Sequence, residues 1–225
     1  MFIAPASLAT ASAQILQNLS PIVRRLGYAD FEPTWRAMQS HNKARNPDTR
    51  DEIWLVEHAP VFTLGMAGKL QHVLNRGDIA VVKTDRGGQV TYHGPGQIVC
   101  YVMLDLRRLG YGVKALVRRM EAAVIALLGE YAIAAHAEPA MPGAYVRKDG
   151  QLAKISAVGL RVANHATYHG VSLNVDMDIE PFSRINPCGY AGLMSAQMRD
   201  YQVSDSMQCI ADKLAAQLIN HVYGK

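Results

Sequence analysis

Between residues 113 and 130, apolar side chains recur at helical spacing. Val113, Leu116, Val117, Met120, Val124, Leu127 and Leu128 fall on one stripe, which predicts an amphipathic helix. A second such helix is predicted over residues 205–221, with Met207, Ile210, Leu214 and Leu218 on one face. A third is predicted over 32–45, where Pro33 is tolerated in the first turn. Elsewhere apolar residues alternate or run together in short blocks, the pattern of strands. Such blocks cover residues 21–28, 51–58, 61–65, 80–85 and 97–106, with Pro60 separating the second from the third. Three more, at 144–146, 151–162 and 167–175, are joined by Lys148-Asp149-Gly150 and Ala163-Asn164-His165, which reads as a meander. Strands mix irregularly with helices, without regular βαβ alternation. The predicted class is therefore α/β of the α+β type, a mixed or antiparallel sheet flanked by helices.

Composition narrows this picture. The chain has 225 residues, 49% hydrophobic and 19% charged, enough for one soluble domain with a sizeable core. We expect that domain over residues 21–225, after a loose extension over 1–20. The extension is rich in Ala and Ser, and no Lys or Arg precedes its apolar residues, unlike a signal peptide. No apolar run reaches the length of a membrane span. Three widely spaced cysteines, with no Cys-x-x-Cys pair, fit free thiols in a reducing, cytoplasmic compartment better than disulfides or a zinc site. The net charge of +4 is mild, and the basic residues lack the aromatic interleaving of a nucleic-acid surface. Small basic groups occur at Arg24-Arg25, Lys43 to Arg50, Arg107-Arg108 and Lys114 to Arg119. They read either as solvated surface or as a docking face for an acidic protein.

Three segments carry candidate chemistry. The first is Arg86-Gly87-Gly88-Gln89-Val90-Thr91-Tyr92-His93-Gly94-Pro95-Gly96-Gln97. It matches neither phosphate-binding glycine pattern, and its mixture of glycines with Arg, Gln, Tyr and His reads as a binding loop. The second is Ala153-Lys154-Ile155-Ser156-Ala157-Val158-Gly159, where alternation puts Lys154, Ser156 and Val158 on one face. A lone strand lysine ordinarily marks an edge or a solvated face. The third is Asn186-Pro187-Cys188-Gly189-Tyr190-Ala191-Gly192. Cys100, in an apolar strand, and Cys209, in the last helix, read as small buried hydrophobes. Cys188, between Pro and Gly, reads as a thiol presented on a turn, with the Gly189 N–H available to an oxyanion.

In combination these segments resemble the lipoyl(octanoyl) transferase family. The resemblance also covers residues 51–58, His169-Gly170-Val171-Ser172-Leu173-Asn174-Val175 and the run from Lys154 to Arg161, and it extends from about Asp51 to Gly192. It implies a fold similar to lipoate and biotin protein ligases, with a pocket beside the sheet. It implies that Cys188 forms an acyl-thioester intermediate and that Lys154 tunes that cysteine. It further implies that Arg86, Gly87, Gly88, Gln89, Val90, Thr91, Tyr92 and His93 hold the acyl chain, with Ala157, Val158, Gly159, Gly170, Val171 and Ser172. The implied partners are acyl carrier protein as donor, and as acceptors the lipoyl domains of 2-oxoacid dehydrogenase complexes and glycine cleavage H protein. Two departures stand out: Met66 where a polar residue is usual, and a long stretch over 138–152 before the lysine.

The chemistry explains the residue types. A free thiol has a pKa near ~8.5 and attacks as the thiolate. A nearby ammonium favours that form, or a less basic lysine takes the proton. Exchange of one thioester for another is near balance, and conversion to an amide is downhill, so neither ATP nor a metal is implied. Rival readings are an ATP-dependent lipoate or biotin ligase, which needs no nucleophilic cysteine, and a non-catalytic protein that binds acyl groups or lipoyl domains.

Overall fold

A computed structural model describes residues 20–187 and 192–224. The large sheet has eight strands in the order β1-β2-β6-β10-β9-β8-β7, with a short β11 beside β9. Its strands are β1 (Ile22–Ala29), β2 (Glu52–His58), β6 (Gln97–Met103), β7 (Ala135–Glu138), β8 (Met141–Lys148), β9 (Gln151–Ala163), β10 (Ala166–Asn174) and β11 (Met194–Ser195). The β1–β2 and β9–β11 pairs are parallel; the others are antiparallel. A small second sheet, ordered β4-β3-β5, comprises β3 (Val61–Leu64), β4 (Ala80–Lys83) and β5 (Val90–His93). The predicted mixed sheet flanked by helices is therefore present.

Among the described residues, four α-helices accompany the sheets: α1 (Phe31–Ala44), the single turn α2 (Leu106–Leu109), α3 (Val113–Glu130) and α4 (Met207–Tyr223). The apolar stripe of α3 divides by function. Leu116, Met120, Val124, Leu127 and Leu128 are fully buried in the main core, alongside Ile210, Leu214 and Leu218 of α4. A second core forms where Phe31 and Met38 of α1 meet Trp54, Val99, Tyr101 and Tyr168 of the large sheet. A third joins the small sheet, through Phe62, Leu64, Val90 and Tyr92, to Met177 and Ile185. The two meander turns have left-handed pairs at their centres, Asp149-Gly150 and Asn164-His165. Positive φ at both central residues matches the right-handed twist of a two-residue hairpin.

The structure extends the predicted strands over 135–148, where β7 and β8 form a hairpin. The long stretch before Lys154 is thus an added strand pair at the sheet edge, followed by the turn into β9. The basic groups are mostly engaged within the protein. Arg24 pairs with Glu52, Arg25 with Asp212, Arg107 with Asp105, and Arg45 and Arg108 both with buried Asp51. Asp51 also accepts from the Tyr223 hydroxyl at 2.8 Å and the Asp105 N–H at 3.0 Å. Among the described residues, no helix is long and apolar enough to cross a membrane.

Candidate active site

A cavity of about 260 Å³ opens between the large sheet, the small sheet and the start of α3. Strand β9 contributes Lys154, Ser156, Val158 and Leu160 at alternating positions, along with Ala157 and Gly159. Strand β10 contributes His169, Gly170, Val171, Ser172 and Asn174. Arg86, Gly87, Gly88, Gln89, Val90, Thr91 and His93 supply the opposing wall, and Val113 and Val117 an apolar flank. Thus all but one of the described residues singled out in the sequence converge on one space. Tyr92 is the exception. Its ring packs within the third core, against Phe62 and Phe182.

Glycine also lets neighbouring strands of the large sheet approach closely beside the cavity. A Cβ at Gly170 would stand 1.9 Å from the Cys100 carbonyl oxygen, so only hydrogen fits between β10 and β6 there. Arg86 is buried. Its guanidinium donates to the Thr63 carbonyl at 2.6 Å and hydroxyl at 3.0 Å and to the Gly87 carbonyl at 2.9 Å, which ties the glycine-rich loop to β3. The residues read as one loop thus divide into a tied loop and strand β5.

Lys154 lies on a central strand, only 7% exposed, contrary to the edge or solvated face ordinary for a strand lysine. Its Nζ donates to the Pro142 carbonyl at 2.9 Å and sits 5.1 Å from the centre of the Tyr145 ring. Pro187 lines the same cavity as Lys154. Cys188 and Gly189, the next two residues, lie outside the described residues. Cys100 is fully buried, and burial pushes its thiol above the usual range. Cys209 departs from the expected buried hydrophobe: it is partly exposed, and its thiol donates to Asp205.

One residue singled out in the sequence, His93, belongs to a buried polar network in the same cavity. His93 donates from Nδ1 to Gln97 Oε1 at 2.7 Å, because the Gln97 amide nitrogen is committed to Tyr92 O and Asn174 Oδ1. That leaves His93 Nε2 as the acceptor nitrogen. Burial, reinforced by neighbouring His58, lowers the His93 pKa to about 3, so the ring is neutral. His58 is likewise lowered by burial; it bonds Ala29 O through Nδ1 and the Tyr101 hydroxyl through Nε2, each at 2.7 Å.

His169, in the left-handed region at φ 62°, donates to Asp85 at 2.9 Å. Asp85 also accepts from Trp35 at 2.9 Å, from Gln39 at 3.1 Å and from the Tyr168 hydroxyl. Burial alone would raise the Asp85 pKa, but these donors hold it well below the carboxylate range. The only sequence signals were adjacency, Asp85 before Arg86 and His169 before Gly170. Among the described residues no group of three or more potential ligands could hold a metal ion.

The chain matches the lipoyl protein ligase A/B catalytic domain over residues 31–219. It is 55% identical over 201 residues to an octanoyltransferase of Chromobacterium violaceum, covering 89% of this chain and 95% of that one. The chain belongs to the lipoyl(octanoyl) transferase family. An octanoyltransferase of Pseudomonas fluorescens is 54% identical over 199 residues, covering 88% of this chain and 91% of that one. Among solved structures, the fold is shared with a bi-partite lipoate protein ligase of Thermoplasma acidophilum. That match has a TM-score of 0.72 at 13% identity and covers 91% of this chain and 84% of that one. A biotin protein ligase of Aquifex aeolicus shares the fold at a TM-score of 0.56 and 12% identity, covering 89% and 70%. Family membership extends well beyond the glycine-rich and lysine segments, since the matched region takes in all of α1 and most of α4.

Proposed function

We propose that this chain transfers an octanoyl group from acyl carrier protein to a lysine of a lipoyl domain, through a thioester on Cys188. The observation that carries this reading is an apolar-walled cavity holding a buried lysine, lined also by the residue that precedes the cysteine. Its support in kinship is the identity with octanoyltransferases over most of the chain.

In the first step Cys188 Sγ attacks the carrier-bound thioester. The new C–S bond replaces the old one, and the phosphopantetheine sulfur leaves as thiolate and takes a proton. In the second step the neutral amine of the target lysine attacks. A C–N bond forms, the Cys188 C–S bond breaks, and the amine proton passes to the released thiolate through Lys154. Neither step needs ATP or a metal. We assign the amine proton to Lys154; His93, buried and neutral in the same cavity, is the alternative carrier. Val90, Val158 and Val171 face the acyl chain, at ~0.8 kcal/mol for each methylene buried. Acceptors in this reading are the lipoyl domains of 2-oxoacid dehydrogenase complexes and glycine cleavage H protein. A reducing cytoplasm keeps the thiol available.

Intact-protein mass spectrometry after incubation with octanoyl carrier protein tests the intermediate. The expected result is a gain of one octanoyl group, absent in Cys188→Ala. Persistence of the adduct in that variant would sink the assignment. Target modification by Cys188→Ser given ATP and free octanoate would favour a ligase instead.

A further inference from the structure

One buried acid lies close to the cavity without lining it. Glu121, on α3, is 7% exposed and follows Val113 and Val117 at successive four-residue steps, on the stripe that flanks the cavity. Its Oε1 accepts the Gly143 N–H at 2.9 Å. The peptide group that supplies this N–H also supplies the Pro142 carbonyl, and that carbonyl accepts from Lys154 Nζ at 2.9 Å. One peptide unit is therefore held at both ends, by Glu121 Oε1 on one side and Lys154 Nζ on the other.

The surrounding backbone is built for this contact. Strand β9 carries an extra residue here: Ala144 pairs with Ser156 and Tyr145 with Lys154, leaving Ile155 unpaired. Such a bulge re-aims the adjoining side chains. Gly143 has φ 139°, and a Cβ there would stand 2.1 Å from Ser156 O and 2.9 Å from Lys154 Cε. The lysine stem thus packs directly on the peptide that Glu121 clamps. A carboxylate on the N–H also polarises the peptide and makes its carbonyl a better acceptor.

We propose that Glu121 is a positioning residue for Lys154, acting through the Pro142–Gly143 peptide. The proposal rests on the reading of Lys154 as the partner of Cys188. Glu121 holds the N–H end of that peptide, and its carbonyl in turn holds Lys154 Nζ. Without the carboxylate the Gly143 N–H loses its acceptor, and the hold of the Pro142 carbonyl on Lys154 weakens.

The test is the pH dependence of Cys188 alkylation by iodoacetamide, mapped by peptide mass spectrometry, alongside octanoyl transfer from the carrier. Glu121→Ala is expected to raise the apparent alkylation pKa by about one unit and to slow transfer at least ~10-fold. Glu121→Gln, which keeps an oxygen acceptor, should stay within ~3-fold of the parent. If Glu121→Ala does not fold, Glu121→Met fills the space without an acceptor and carries the same expectation. A merely structural role would lower the melting temperature without moving the alkylation profile. An unmoved profile and transfer within twofold of the parent, while Lys154→Ala loses both, would overturn the proposal and leave the Lys154 reading intact. Lys154→Ala with unchanged alkylation and transfer would instead remove that reading, and this proposal with it.

Discussion

Replacing Asp85 by alanine should destabilise the protein by ~3–4 kcal/mol. The carboxylate accepts from four side chains, Trp35, Gln39, Tyr168 and His169. Tyr168 and His169 are buried, at 5% and 2% exposure. Each would be left with an unmet donor, at ~1–3 kcal/mol apiece. Trp35 and Gln39 are half-buried and reach water, so their losses are smaller. Urea unfolding measures the sum. With a slope of ~2–3 kcal/mol per molar, the midpoint should fall by ~1–2 M. Asp85→Asn keeps one oxygen acceptor and should lose about half as much. Acid supplies an independent check. The native Asp85 carboxyl is held below its ordinary range, so its contribution is full above pH ~4 and is lost as pH falls below that value. The gap between the parent and Asp85→Asn should therefore narrow below pH ~4. A loss under ~1 kcal/mol for Asp85→Ala at neutral pH, or a gap that widens in acid, would refute the reasoning.

Three further outcomes are expected. The His93 ring is held neutral down to about pH 3, so the unfolded chain takes up a proton the native state refuses. Its contribution is present above pH ~6.5 and lost as pH falls toward 3; His93→Gln should flatten the stability–pH slope by up to ~1.4 kcal/mol per unit between pH 6 and 4, measured by urea unfolding. Gly170→Ala sets a Cβ 1.9 Å from the Cys100 carbonyl oxygen, backbone against backbone, and should cost at least ~3 kcal/mol or yield insoluble protein; soluble protein with a parental melting temperature would contradict the close approach of β10 to β6. Lys154→Arg keeps charge but neither releases a proton nor fits the Pro142 carbonyl as a point donor, and transfer should fall at least ~10-fold in a carrier-based assay.

Much of the fold was legible because its signals are local. The stripes of α3 and α4 and the turns at Asp149-Gly150 and Asn164-His165 depend on neighbours a few residues away. Strand β5 was not legible: Val90 to His93 is only four residues, and the glycines on both sides hid its alternation. The site divided in the same way. The alternation of Lys154, Ser156 and Val158 was readable, but whether that face meets water or an enclosed cavity depends on loops from elsewhere in the chain. Asp85 draws donors 50 and 84 residues away, from Trp35 and His169, and no spacing rule links them. Glu121 left a trace, a charge within an otherwise apolar helical stripe, but its partner lies 22 residues further on. Cys209 shows the opposite error, where the helical stripe runs past it and leaves it at the surface.

The segment after β3 touches both sides of the cavity. The N–H groups of Met66 and Ala67 donate to the carbonyls of Arg86 and Gly88, while Leu74 donates to Arg184 and Asn186 to His72. The glycine-rich wall and the chain leading to Cys188 are thereby cross-braced by one strap of backbone. In the proposed reaction, widening the acyl pocket would therefore also shift the approach of Cys188. Under that proposal chain-length selection becomes a property of a stiff frame, and a substitution that loosens the strap should broaden the range of acyl groups accepted.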